Sequence, residues 1–309
     1  MSAADLWTDV APRDGLQNIA ATVATDAKVR LVRGLLDAGV PRVEATAFVS
    51  PRWVPQLADA AAVLDACGEA MQRIRVLIPN AKGLELALER GVRNVLVTIA
   101  ATDTFNRRNV NRSVAESLAE LERIVDTASD AGCAVDVALS VCFGCPYEGR
   151  VDRSRVVDLC AEIVQRGAAE VGLADTIGVA TPSDVTGLVT RAAQAMPLER
   201  ISLHVHDTRG LGVANVVAAY QAGVRRFDGS AGGVGGCPFA PRATGNVCSE
   251  DALQALASLG ASHGVDLDSL CRVSETLASD LGQDLPGKLY RAGIWKAEPV
   301  AVPAESEAG

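Results

Sequence analysis

Eight short apolar runs alternate with eight helix-like stretches along the chain, and this alternation limits the possible folds more than any single residue does. The runs lie at 6–12, 42–48, 74–79, 94–100, 134–143, 170–175, 200–206 and 225–230. Each is rich in Val, Ile or Leu and largely continuous rather than alternating, as expected of parallel strands covered on both faces. Helical spacing follows each run, at 26–38, 54–67, 82–90, 114–131, 152–166, 183–195, 214–223 and 250–259. Thr181-Pro182 reads as an N-cap followed by proline at the first helical position, and Gly39, Gly91, Gly132, Gly167 and Gly223 stand where helices should stop. Eight βα units with no Ser/Gly linker predict one α/β domain, a (β/α)8 TIM barrel, in preference to an open doubly wound sheet. The barrel domain is expected over 1–285, with an extra C-terminal helix at 267–281. A short flexible tail is expected at 286–309, where the composition drifts to Glu, Pro and Ala. Of the 309 residues 49% are hydrophobic but only 4% are aromatic, so Ala, Val and Leu have to fill the core.

Charge narrows the function. Lys and Arg number 29 against 38 Asp and Glu, a net charge of −9, and no dense basic block occurs; no nucleic acid and no membrane surface is therefore expected as a partner. The longest uncharged run, 210–224, falls short of the roughly 18 residues of a membrane span. Asp5 and Asp9 lie where a targeting segment would be apolar or basic, and Glu307-Ala308-Gly309 is no peroxisomal address. The eight cysteines have no repeating spacing and read as reduced thiols, so a cytoplasmic protein is expected. Cys142 and Cys145 form a C-x-x-C without a second pair or nearby histidine; packing or loop shaping is the first reading, metal or redox use the second.

In such a barrel, chemistry sits at the C-terminal ends of the strands, and few polar residues fall there. They are Arg13-Asp14, Glu44, Asp175-Thr176, His204, His206, Asp207, the glycine-rich loop from Gly232 to Pro238, and Asn246. His204 and His206 are two of three histidines, and their i, i+2 spacing puts both rings on one face of a strand, which inside a barrel is the pocket. With a carboxylate from Asp14, two imidazoles make a mixed N/O site for Mg²⁺ or Mn²⁺; a hydrogen-bonded histidine pair beside an ion-paired Asp satisfies the same spacing. Arg13 is either a salt bridge or a guanidinium facing a developing oxyanion. Cys237, in its glycine-rich loop, reads first as a packing residue and second as a thiol close to a ligand. The run Gly232 to Gly236 lacks the spacing of a dinucleotide fingerprint, and His263 falls on a predicted surface turn. Lys82, Arg107 and Arg108 follow the third and fourth strands in predicted loops, where they are either solvated charge or cations for the phosphates of a ligand.

These residues resemble a known family. Arg13-Asp14-Gly15-Leu16-Gln17-Asn18, Gly144-Cys145-Pro146-Tyr147-Glu148-Gly149, Asp175-Thr176-Ile177-Gly178, His204-Val205-His206-Asp207-Thr208 and Gly235-Gly236-Cys237-Pro238 match, in order, the motifs of the 3-hydroxy-3-methylglutaryl-CoA (HMG-CoA) lyases. That family belongs to the metal-dependent aldolase and Claisen barrels. The resemblance implies a carbon–carbon lyase that cleaves an HMG-CoA-like thioester to acetyl-CoA and acetoacetate or a related keto acid. It implies that Asp14, His204, His206 and Asn246 hold a divalent ion (Mg²⁺ or Mn²⁺), and that Arg13 and Cys237 act in the chemistry. Glu44 and Asp175 would support catalysis, Gln17 the substrate, and Lys82, Arg107 and Arg108 the CoA phosphates of an acyl-CoA. A homodimer is the expected assembly.

The chain also departs from the best-known members. Asn18-Ile19-Ala20 replaces an acid and a cation, Ala47 a small hydroxyl residue, Ala138 an aromatic and Arg209 a tyrosine. A smaller Ala138 makes room on the substrate's C3, so a longer 3-hydroxy-3-alkylglutaryl-CoA or citramalyl-CoA is the alternative substrate. An acetyl-CoA Claisen synthase is the more distant alternative.

Overall fold

A computed structural model describes residues 7–20, 22–236 and 245–295. Eight parallel strands close into a barrel in chain order, each paired with the next and the last with the first. They are β1 (Trp7–Asp9), β2 (Arg42–Ala47), β3 (Ile74–Leu77), β4 (Asn94–Ala100), β5 (Ala134–Ser140), β6 (Glu170–Asp175), β7 (Ile201–Val205) and β8 (Phe227–Gly229). The helices are α1 (Thr25–Asp37), α2 (Ala60–Asp65), α3 (Ala81–Leu88), α4 (Asp103–Val110), α5 (Val114–Asp130), α6 (Arg153–Gln165), α7 (Pro182–Ala195), α8 (Gly212–Gln221), α9 (Ser249–Ser258), α10 (Leu267–Leu281) and α11 (Leu289–Ala292). The TIM-barrel expectation and the helix at 267–281 hold. α5 and α7 begin with capping boxes, Ser113 with Glu116 and Thr181 with Asp184, which occupy backbone donors that a helix start leaves free.

Several boundaries differ for physical reasons. The helix expected at 54–67 splits into a 3₁₀ turn at Pro55–Leu57, which Pro55 opens at a position where its missing N–H costs nothing, and α2, with the break at Ala58-Asp59. α4 has no counterpart in the apolar pattern: it is polar on most faces and buries only Phe105 and Asn106. Of the tail expected at 286–309, residues 286–295 are described, and they pack against the barrel. Gly287 N donates to Gly232 O at 2.8 Å, the backbone N–H groups of Lys288 and Leu289 donate to Asp251, and Leu289 and Tyr290 are buried. His263, expected on a surface turn, is also buried, its Nδ1 accepting from Val265 N at 3.1 Å. Cys142 and Cys145 are buried free thiols; Cys142 donates to Leu139 O at 2.9 Å, and Cys145 accepts from the Thr102 hydroxyl at 3.2 Å. The pair shapes a loop.

Outward strand residues such as Val95, Val97, Val135, Val137 and Leu139 are buried in the apolar layer shared with the helices. The lumen is different. Arg75 on β3 bonds Glu44 of β2 and Asp228 of β8, and lies 3.9 Å from both Asp136 of β5 and Glu170 of β6. Contacts from β3 to strands across the barrel run through its interior, so a layer of charge occupies a place where branched apolar residues are usual.

Asp9 closes the β1 end of the barrel. Its carboxylate accepts from Ala11 N at 2.9 Å and from the Ser249 hydroxyl at 2.6 Å, and Trp7 Nε1 donates to the same hydroxyl at 2.9 Å. Burial pushes the Asp9 carboxyl up to about 7 in spite of these bonds. With the folded pKa above the unfolded value of ~3.9, the stabilisation present below about pH 4 is lost as the pH rises through about 7. In thermal melts between pH 4 and 8, Asp9→Asn should lose less stability than the wild type, by on the order of 1–4 kcal/mol. Parallel pH profiles for the two proteins would contradict this assignment.

Candidate active site

After β1 the chain makes one π-helical turn, Ala11–Gly15, with Pro12 at its start where a missing N–H costs nothing. The turn sets Arg13 and Asp14 side by side, Arg13 Nη1 donating to Asp14 Oδ1 at 2.6 Å. The sequence allows the turn to sit deep: a Cβ at Gly15 would stand 2.7 Å from Val234 Cγ1. His204 lies in β7 and His206 one residue beyond it, with ring centroids 5.2 Å apart. Asp14, His204 and His206 each present a ligand atom, and all three atoms lie within 4.8 Å of one another.

Asn246 reaches the same place by a close crossing. Its segment is laid between the ends of β7 and β8, with Asp207 N donating to Gly245 O, Val247 N to Val205 O and Ser230 N to Val247 O. At Gly245, with φ +88°, a Cβ would stand 2.5 Å from Gly235 C and 2.7 Å from Gly236 N, so only glycine fits that crossing. Asn246 Nδ2 then donates to Asp14 Oδ2 at 3.0 Å and to Val234 O at 3.3 Å. This leaves Asn246 Oδ1 and His206 Nδ1 buried with no hydrogen-bond partner among the described residues. Buried acceptors of this kind are costly unless something occupies them. Two imidazoles, a carboxylate and an amide oxygen fit a divalent cation.

The electrostatics agree with that fit. Burial favours the neutral form of Asp14, but the Arg13 guanidinium, His204 and His206 and the Asn246 hydrogen bond hold its carboxyl down to about 2. Burial, then the neighbouring His204, bring His206 down to about 4, which keeps an imidazole lone pair available near neutral pH. His204 is opposed by burial yet moves up, because the Asp228 carboxylate lies 3.6 Å from its Nδ1 and Asp14 adds a second negative charge. An anchored Nδ1 leaves Nε2 for a ligand, as in carboxylate–histidine–metal arrangements.

The other expected residues divide. Glu44 is fully buried and bonds Arg13 Nε through Oε1, so it stands behind the guanidinium. Asp175 Oδ1 and Oδ2 accept from Val179 N and Ala180 N at 2.9 and 3.0 Å, and the carboxylate shapes the loop after β6. Gln17 is half-buried. Lys82, placed by the sequence at the junction of a loop and the helix expected at 82–90, stands in the first turn of α3, exposed and paired with Glu85 at 2.8 Å. Arg107 and Arg108, expected in a loop, belong to α4; both are exposed, and Arg108 lies over the Tyr147 ring at 4.5 Å. Cys237 lies outside the described residues. Asp228 and Arg75 escaped the sequence reading. Their signal is a charge inside an otherwise apolar run, Ile74-Arg75-Val76 and Phe227-Asp228-Gly229.

Comparison with known proteins gives a consistent result. A family model described as HMGL-like matches residues 6–277. The (R)-citramalyl-CoA lyase of Chloroflexus aurantiacus is 42% identical over 296 residues, which is 92% of this chain and 93% of that protein. The hydroxymethylglutaryl-CoA lyase YngG of Bacillus subtilis is 39% identical over 281 residues, 91% of this chain and 94% of the relative. An HMG-CoA lyase from Acinetobacter baumannii, solved with coenzyme A and 3-methylmalate, superposes with a TM-score of 0.90 at 36% identity, covering 98% of this chain and 99% of that one.

Proposed function

Because the chain belongs to the HMGL-like family of lyases, we propose that it cleaves the C2–C3 bond of a 3-hydroxy-3-substituted acyl-CoA carrying a second carboxylate, releasing acetyl-CoA and a keto acid. HMG-CoA would give acetoacetate, and citramalyl-CoA would give pyruvate by the same cleavage. The observation that carries this reading is the meeting of Asp14, His204, His206 and Asn246 beside Arg13 at the mouth of a closed barrel. Mg²⁺ or Mn²⁺ is the proposed ion; when bound it lowers the pKa of a hydroxyl and fixes neighbouring oxygens.

The chain's own groups supply the rest. Asp14 or His204 takes the proton from the tertiary hydroxyl, and C3–O becomes the carbonyl of the departing keto acid. The electron pair of the broken bond passes to the thioester as an enolate. Arg13, held from behind by Glu44, places positive charge where the enolate oxygen develops. Cys237, whose role rests on the resemblance, donates a proton to C2 and completes acetyl-CoA. Lys82, Arg107 and Arg108 are exposed on α3 and α4 and are available to CoA phosphates. The seven described cysteines are all free, which supports a cytoplasmic setting.

Substrate size is read from β5. Asp136 reaches Arg42 and Arg75 inside the barrel, so strand alternation places Ala138 on the same lumen face, beside Gly172 of β6. Small residues there leave space next to the reacting carbons and support substituents larger than methyl on C3. Ala138→Phe should cut kcat/KM for 3-ethyl or 3-propyl homologues by about 10- to 100-fold more than for the 3-methyl thioester. Equal losses across that series would remove Ala138 from specificity.

The reading is tested by mass spectrometry of products from a panel of hydroxyacyl-CoA thioesters with Mg²⁺ or Mn²⁺. Acetyl-CoA and the matching keto acid are expected. No acetyl-CoA from any thioester, or acetyl-CoA consumption with release of free CoA, would overturn the reading.

A further inference from the structure

Arg75 lies beneath the site, is 1% exposed, and has no role in the chemistry above. Its Nε donates to Glu44 Oε2 at 2.8 Å, while its Nη2 lies 2.6 Å from the same oxygen and 2.9 Å from Asp228 Oδ2. Each carboxylate has a second duty. Glu44 holds Arg13 through its other oxygen, and Asp228 faces His204 Nδ1 at 3.6 Å through the very oxygen that Arg75 binds. Arg13 enters from the π-helical turn after β1 and His204 from β7, and they touch these two different carboxylates. One buried guanidinium therefore ties both supports together.

Resting on the metal-site reading above, we infer that Arg75 is a positioning residue for both halves of the site: through Glu44 it sets the Arg13 guanidinium, and through Asp228 it sets the His204 imidazole. The planar fork is what suits it, because a single ammonium lacks the spread of donors that spans two carboxylates. Without Arg75, Asp228 keeps His204 as its close partner and is free to draw the ring toward itself, away from Asp14. Such supports behind a ligand affect metal affinity and turnover more than substrate binding.

Arg75→Lys keeps the buried charge. A second variant, Arg75→Gln with Asp136→Asn, removes one positive and one negative charge together. Asp136, which burial pushes up, is bonded to Arg42 and Asn94 and lies 3.9 Å from Arg75, but it pairs with neither Arg13 nor His204, so Asp136→Asn alone serves as the control. Mn²⁺ affinity is measured by titration calorimetry on each folded protein, with kcat and KM on the thioester that the wild type turns over. Both Arg75 variants should bind Mn²⁺ ~10- to 100-fold more weakly and lose kcat by a similar factor at nearly constant KM, while Asp136→Asn behaves like the wild type. Wild-type Mn²⁺ affinity and kcat in either folded Arg75 variant, even with a lowered melting temperature, would overturn the assignment. Failure of the wild type itself to bind Mn²⁺ would instead strike the metal-site reading.

Discussion

His204→Ala should give a folded barrel that neither binds Mn²⁺ at the site nor turns over substrate. The substitution removes one of three side chains whose ligand atoms lie within 4.8 Å of each other, and no other imidazole or carboxylate of that group can take its place. Folding should survive. Leu203 and Val205 flank His204 on the opposite, helix-covered face and are buried there, while Asp228 keeps its bond to Arg75 when the imidazole is gone. Loss of the ion removes Lewis-acid stabilisation worth several kcal/mol, so kcat should fall by at least ~10³-fold. Calorimetry with Mn²⁺, together with circular dichroism to verify the fold, checks both halves. A folded variant with wild-type Mn²⁺ affinity would remove His204 from the ligand set.

Cys237→Ala should separate binding from chemistry. If the thiol is the acid that protonates C2, its removal leaves the Asp14, His204, His206 and Asn246 donors in place, so Mn²⁺ affinity is retained while kcat falls by ~10²- to 10⁴-fold. The same proton should be visible without net turnover. In D₂O the wild type should exchange deuterium into the methyl group of acetyl-CoA, and the variant should not. Wild-type kcat and wild-type exchange from Cys237→Ala would return the residue to packing.

The barrel was legible because its signal is repeated. Eight apolar runs give eight strands, and β4 and β6 fall on the expected limits. Capping chemistry also reads locally, as at Thr181-Pro182. α4 was hidden because it buries little apolar surface and so has no period to detect. The contacts of 286–295 were hidden because Gly287, Lys288 and Leu289 are held by backbone bonds to Gly232 and Asp251, which composition does not report. In the site, residues with a distinctive local spacing, Arg13-Asp14 and His204-x-His206, stood out. Asn246 depends on Gly245 crossing over Gly235 and Gly236, a contact between segments that local pattern does not encode. Arg75 and Asp228 sit in strand runs that read as apolar overall, and their function appears only once β2, β3, β7 and β8 surround one lumen.

The most direct test is a crystal of the protein soaked with Mn²⁺ and measured at a wavelength where manganese scatters anomalously. A single strong peak is predicted, bounded by the Asp14 carboxylate, the His204 and His206 imidazoles and Asn246 Oδ1. A peak elsewhere, or none at a saturating Mn²⁺ concentration, would contradict the proposed site and the lyase chemistry built on it.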